Sequence, residues 1–219
     1  MRIYQRNLPH FHIPERDYTL VYTLAGSLPS KAIDQLTDSF ITKKLAVDIL
    51  PGTELTIKDK RRLQQLENDY AARFDQYLHQ VKNGPTYLQQ PEIAQIIIDS
   101  IYFVENVLRY WTVWSYCIMP NHVHLECSLK ENAPSLELIM KSHKNFTALE
   151  SNRVLKREGA FWRHETFDRL IRNEEDFTRR VWYTIMNPVV AGLIKRWQDW
   201  PFTYIHPIIR PEFILANSY

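Results

Sequence analysis

The sequence predicts an α+β fold: a ferredoxin-like or RNA-recognition-motif-like antiparallel sheet with helices packed mainly on one face. Three observations predict it. Residues 122–130 alternate without a break, with His122, His124, Glu126, Ser128 and Lys130 on one side and Val123, Leu125, Cys127 and Leu129 on the other. That period belongs to a half-buried strand with one wet face, which would stay open or be partly covered by the last helix. Residues 109–119, rich in Tyr, Trp and Val, lie just before it across Pro120-Asn121, so the two runs form a hairpin. The order strand, helices, strand-turn-strand, helix, strand, helix then fits a sheet with helices on a face.

The elements follow in order. Residues 17–25 form a strand, with Tyr18, Leu20, Tyr22 and Leu24 alternating with Thr19, Val21 and Thr23 until Gly26 and Pro29 end it. From residue 30 to about 105 the pattern is helical. Ala32, Leu36, Phe40 and Leu45 mark a first helix, and residues 57–82 a second, with Leu63, Leu66, Tyr70, Phe74 and Leu78 on one stripe. Asn83-Gly84-Pro85 stops it, and Pro91 opens a third through Ile93, Ile96, Ile97 and Ile101. After the hairpin, residues 135–156 read as a helix that Gly159 breaks, and 165–171 as a short strand. Asn173 caps a last helix whose first turn is acidic, as the helix dipole favours. This helix should run to Met186 or Asn187, where Pro188 ends or kinks it. The Pro-rich, aromatic tail from Trp200 suggests no element. The whole chain, 1–219, reads as a single domain with a helical insertion at about 30–88.

Aromatic residues are plentiful and glycines few, which excludes a disordered chain. With 27 basic and 25 acidic side chains the net charge is +2, which neither requires nor excludes nucleic acid. Cys117 and Cys127 read as core thiols of a reducing compartment. No apolar signal core and no membrane-spanning stretch is present, so the cytoplasm is the expected location, with no membrane partner.

The chemistry lies in two places. His122 and His124 share one face of a strand, about 7 Å apart along it, where two imidazoles can grip one metal ion. Tyr183 and Asn187 stand at i and i+4 of a helix, about 6 Å apart on one face. If that face meets the histidines, two imidazoles, an amide oxygen and a phenol converge. Such a donor set can hold Mg²⁺ or Mn²⁺ with positions left for phosphate. A phenol there is a candidate nucleophile that needs activation, since its ordinary pKa is near 10.

Four stretches in order carry a resemblance: Arg6-Asn7-Leu8-Pro9-His10, Met119-Pro120-Asn121-His122-Val123-His124, Phe161-Trp162 with Phe167-Asp168-Arg169-Leu170-Ile171-Arg172, and Tyr183 through Asn187-Pro188-Val189-Val190-Ala191-Gly192-Leu193. The chain resembles the REP-associated tyrosine transposases, a branch of the HUH single-stranded-DNA nucleases that also include single-tyrosine insertion-sequence transposases. The resemblance implies a catalytic tyrosine on a C-terminal helix and a metal-dependent endonuclease and strand transferase. His122 and His124 would bind the metal, with Asn187 as third ligand. Tyr183 would attack DNA to give a 5′-phosphotyrosine and a free 3′-hydroxyl. Glu126, on the histidine face, would tune the metal or touch DNA. The implied partner is single-stranded or hairpin DNA from palindromic repeats, the implied unit a monomer or homodimer, and the implied place the nucleoid of a bacterial cytoplasm.

Lys141, Lys144, Arg163, Arg169, Arg172 and Arg179 are candidates for a phosphate track, with Arg153, Lys156, Arg157 and Arg180 beside them. Trp162 and Trp182 are candidates for base stacking. Arg6, His10 and His12 are candidates for reading bases beside a hairpin foot. His10-Phe11-His12 repeats the histidine spacing without a clean strand alternation. Plainer roles compete: Asn187 as the cap of a helix opening at Pro188, Tyr183 as a core aromatic, the basic residues as a solvated surface among Glu150, Glu158, Glu165 and Asp168. Three other functions compete as well. A domesticated relative would bind hairpin DNA without cutting. A nucleotide hydrolase would need a third histidine where Glu126 stands. An RNA-binding module would carry aromatics on its central strands, where this chain has His, Glu and Ser.

Overall fold

The computed structural model describes residues 2–5, 9–28, 30–45, 56–80 and 84–215. In chain order the elements are β1 (Arg2–Gln5), β2 (Pro9–His12), β3 (Asp17–Leu24), α1 (Ser30–Leu45), α2 (Ile57–Gln80), α3 (Pro91–Tyr102), β4 (Trp111–Ile118), β5 (His122–Leu129), α4 (Leu136–Val154), β6 (Trp162–Leu170), α5 (Glu174–Val190), β7 (Thr203–Ile205) and α6 (Arg210–Leu215). They fall into two compact units, Met1–Ala25 with Pro85–Tyr219, and Gly26–Gly84.

In the first unit β3 to β7 form one antiparallel sheet, ordered β6-β3-β5-β4-β7. Strands β3, β4, β5 and β6 are the first to fourth of a ferredoxin-like motif, in the order fourth, first, third, second, and β7 extends the β4 edge. The β4–β5 hairpin closes through Pro120-Asn121, where the Met119 N–H donates to the His122 carbonyl at 2.8 Å. The turn is tied to its neighbours: Leu24 N–H donates to the Asn121 carbonyl (2.9 Å) and Leu88 N–H to the Pro120 carbonyl (3.1 Å).

One face of the sheet makes the main core. Tyr18, Leu20, Tyr22 and Leu24 of β3 and Val123, Leu125, Cys127 and Leu129 of β5 pack on Ile93, Ala94, Ile97 and Ile101 of α3 and on Leu136, Ile139 and Met140 of α4. These are the alternate residues that the strand period assigns to one side. His143 of α4 is buried here, within hydrogen-bond distance of the Tyr22 hydroxyl (2.9 Å) and the Ser100 hydroxyl (2.8 Å). Burial pushes its pKa down to about 3, so it is a neutral imidazole. Cys117 and Cys127 are buried free thiols.

The other face carries α5, whose Val181 and Ile185 pack with Trp197, Ile205 and Phe213. Helix α5 starts as expected, with the Asn173 side chain accepting from Asp176 N–H. It does not stop at Pro188, which lies inside it. The proline forfeits one ladder bond, but Ala191 N–H donates to the Asn187 carbonyl at 2.9 Å and the helix goes on. It ends at Gly192 (φ 73°), with Leu193 N–H on the Pro188 carbonyl and Gly192 N–H on the Val189 carbonyl. That is a Schellman stop, for which glycine is suited.

Other departures have local causes. β6 begins three residues earlier than its pattern suggests, because the Lys144 ammonium binds the carbonyls of Arg163, His164 and Glu165 and the Thr166 hydroxyl. The segment holding His10 and His12 is a strand paired with Arg2–Gln5, its partner rather than its own pattern making it one. β7 and α6 occupy the tail in which the sequence suggested nothing.

The second unit pairs α1 with α2. Phe40 meets Tyr70 with ring centroids 4.7 Å apart, Tyr70 meets Phe74 at 6.0 Å, and Thr37 and Tyr70 hydroxyls are 3.3 Å apart. Thr56 and Asp59 cap α2 reciprocally, each side chain accepting from the other's backbone N–H. No helix among the described residues is long and apolar enough to cross a membrane.

Candidate functional site

The sheet face under α5 is built by register. Across from His122, His124 and Glu126 of β5 stand Thr23, Val21 and Thr19 of β3. On the other side Cys117 faces His124 and Ser115 faces Glu126. Directly opposed residues of antiparallel strands share a face. Beyond β3 the same row continues to Phe167 and Arg169 of β6. A register shift between Val113 and Ser115 turns Trp114 toward α5 as well, where its ring lies 5.8 Å from Phe177.

This face is not wet. His122, His124 and Glu126 are all fully buried. Alternation with polar residues marked a second face correctly, but that face lies beneath a helix.

The two histidine rings are side by side, centroids 4.8 Å apart at 77°. The Tyr183 ring meets His124 edge-on at 5.8 Å. Thus α5 brings its half-buried phenol to the histidine pair, and Asn187 lies buried one turn farther along the helix. Asn187 is helical, so no new helix opens at Pro188 for it to cap. The Arg180 guanidinium lies over the Tyr183 ring, 5.8 Å from its centroid.

The donor set suits a divalent cation. Neutral imidazole nitrogen binds divalent first-row metals, and an amide carbonyl oxygen beside it suits the harder Mn²⁺ and Mg²⁺. The Nδ1 atom of His122 lies 2.6 Å from the Asn121 side-chain oxygen. A ring nitrogen so engaged carries the proton, which leaves the other nitrogen's lone pair to bind metal.

Two buried polar networks join α5 to the sheet. Glu126 accepts from the Ser115 hydroxyl (2.7 Å, β4) and the Thr184 hydroxyl (2.8 Å, α5). Burial raises its pKa to about 7 against the lowering effect of those bonds and of Arg180. At the start of α5, Asp176 takes a bidentate contact from Arg169, Nη1 donating to Oδ1 (3.2 Å) and Nη2 to Oδ2 (3.0 Å), and lies 3.7 Å from Arg180. Sequence reasoning missed Ser115, Thr184 and Asp176 as members of the site. Thr184 carries no motif, but its neighbour Tyr183 was flagged, and Asp176 read only as a dipole acid.

The expected phosphate track divides. Lys141, Arg172 and Arg179 are exposed and Arg163 is partly so. Arg179 pairs with Glu175 at 3.2 Å. Lys144 and Arg169 are buried, with their charges turned to β6 carbonyls and to Asp176. They do not present charge to an outside ligand. His10 and His12 lie opposite Tyr4 and Arg2 in the β1–β2 pair, while Arg6 lies outside the described residues.

No family model matches the chain. A protein of Haemophilus influenzae assigned as a REP-associated tyrosine transposase is 29% identical over 105 residues, covering 44% of this chain and 60% of its own. The REP-associated tyrosine transposase of Escherichia coli K12 is 28% identical over 99 residues, covering 45% of this chain and 56% of its own. The match thus spans a little over half the length of these relatives. A solved REP-associated tyrosine transposase bound to a REP hairpin shares the fold, with a TM-score of 0.55 over all of this chain and 88% of that one, at 15% identity. In sequence and in fold, the proteins that this chain resembles are the REP-associated tyrosine transposases.

Proposed function

We propose that the protein is a single-stranded-DNA endonuclease and strand transferase acting on hairpins of palindromic repeats, with Tyr183 as nucleophile. The observation that carries this reading is the approach of the Tyr183 ring to the His122–His124 pair. It sets a phenol ring beside two imidazoles from two elements that only the tertiary fold brings together, which supports reading them as nucleophile and cation site.

His122 and His124 would hold Mg²⁺ or Mn²⁺, with Asn187 supplying an amide oxygen as third ligand. Such an ion supplies charge to polarise and orient a phosphodiester. Tyr183 Oη bonds to phosphorus as the bond from phosphorus to the 3′ oxygen breaks. The phenol proton is lost and the leaving oxygen takes one up, so the products are a 5′-phosphotyrosine and a 3′-hydroxyl. The ester bond is conserved, so a 3′-hydroxyl can reverse the step without ATP. Glu126 holds the tyrosine helix on the sheet through Thr184, and the Arg169–Asp176–Arg180 cluster fixes the start of that helix. Lys141, Arg163, Arg172 and Arg179 would track a DNA backbone.

The test is cleavage of hairpin oligonucleotides taken from repeats that flank the gene. Cleavage that needs Mn²⁺ or Mg²⁺, stops with chelator and is lost in Tyr183→Phe supports the proposal. Tight hairpin binding without cleavage under any of these conditions contradicts it, and identifies a domesticated binding protein.

A further inference from the structure

Asn121 stands in the turn before the histidine strand, buried, with its side-chain oxygen 2.6 Å from Nδ1 of His122. An amide oxygen only accepts, so the shared proton resides on Nδ1. A neutral imidazole carries one proton, and Nε2 is then the unprotonated nitrogen. The turn that presents Asn121 is held on both sides, by Leu24 N–H on the Asn121 carbonyl at 2.9 Å and by Met119 N–H on the His122 carbonyl at 2.8 Å. The amide therefore projects from a fixed backbone, not from a mobile loop.

We propose that Asn121 is a positioning residue for cation binding: its side-chain oxygen fixes His122 as the Nδ1–H tautomer, orients the ring, and leaves Nε2 to take a divalent cation beside His124. The proposal rests on the metal reading given above. Asn121 acts through the His122 ring rather than on the metal itself. Hydrogen-bond partners of this kind typically change metal affinity by about 10–100-fold when removed.

Two measurements on the full chain test it. In metal-free protein labelled with ¹⁵N-histidine, long-range ¹H–¹⁵N spectra report which nitrogen of His122 carries the proton, the signals being assigned by their loss in His122→Gln. Mn²⁺ titration followed by electron paramagnetic resonance then gives affinity for wild type, Asn121→Ala and Asn121→Asp. The expected result is an Nδ1–H tautomer in wild type and in Asn121→Asp, both binding Mn²⁺ well. Asn121→Ala should lose the tautomer preference and bind about tenfold or more weakly. An Nε2–H tautomer in wild type, as a reversed amide would give, overturns the proposal. So does unchanged Mn²⁺ affinity in Asn121→Ala. Failure of wild type to bind Mn²⁺ despite an Nδ1–H tautomer would sink the metal reading itself and this inference with it, a pattern distinct from the other two.

Discussion

Asp176 is fully buried between two guanidiniums, those of Arg169 and Arg180, which are themselves nearly inaccessible. Removing one partner of such a cluster strands the others without a counter-charge. Asp176→Ala should therefore lose about 3–5 kcal/mol in urea unfolding. A loss of only a few tenths would mean that the arginines find water instead. Two other buried groups set opposite pH dependences. His143 has a folded value near 3 against 6.5 unfolded, so its contribution is complete above pH 6.5 and is lost as pH falls toward 3. Glu126 has a folded value near 7 against 4.5, so its contribution is complete below pH 4.5 and is lost as pH rises through 7. Glu126→Gln keeps the shape and removes the second effect. Thermal melts of metal-free protein should show the variant gaining on wild type from pH 4.5 to 8, by on the order of 1–3 kcal/mol at the upper end. A constant difference across that range would refute the assignment. At this scale the sequence revealed side-chain type and spacing, which is why His122, His124 and Tyr183 stood out. It did not reveal burial. Lys144 and Arg169 looked like their exposed neighbours, and only the fold turns their charges inward.

The tyrosine helix shows which element signals are local. The start of α5 was legible, because Asn173 and the acids behind it act on backbone groups within one turn. The sequence puts an end or a kink at Pro188, and the helix runs through it to a stop at Gly192, since a proline forfeits one bond while packing retains the rest. β6 was read short for a different reason. Its first half has no strong alternation and is held by one lysine from another helix. Lys144→Met keeps the apolar stem and removes the ammonium's contacts with that segment. Hydrogen exchange should then speed up at the amides of residues 162–166, by about tenfold or more, with β5 unaffected. Equal protection in the variant would show that β3 alone holds the strand. Ser115 and Thr184 joined the site by cross-strand register and by helix docking, neither of which is a local signal.

The ferredoxin-like order of the sheet followed from connectivity, because one tight hairpin and two helical crossovers leave few ways to pair four strands. β7 escaped notice because a three-residue strand has too few residues to show a period. The two faces of that sheet divide the work. One is an apolar core under α3 and α4. The other holds a buried polar row to which α5 adds a phenol. Tyr183→Phe should therefore fold with nearly wild-type stability yet form no covalent link to DNA. The most direct measurement is a denaturing gel of protein mixed with labelled hairpin DNA and Mn²⁺, followed by mass spectrometry of the adduct peptide. A labelled band that persists in denaturant, maps to Tyr183 and vanishes in Tyr183→Phe is the predicted result. A covalent adduct on another residue, or none in a preparation that binds the hairpin and Mn²⁺, would rule out Tyr183 as the nucleophile.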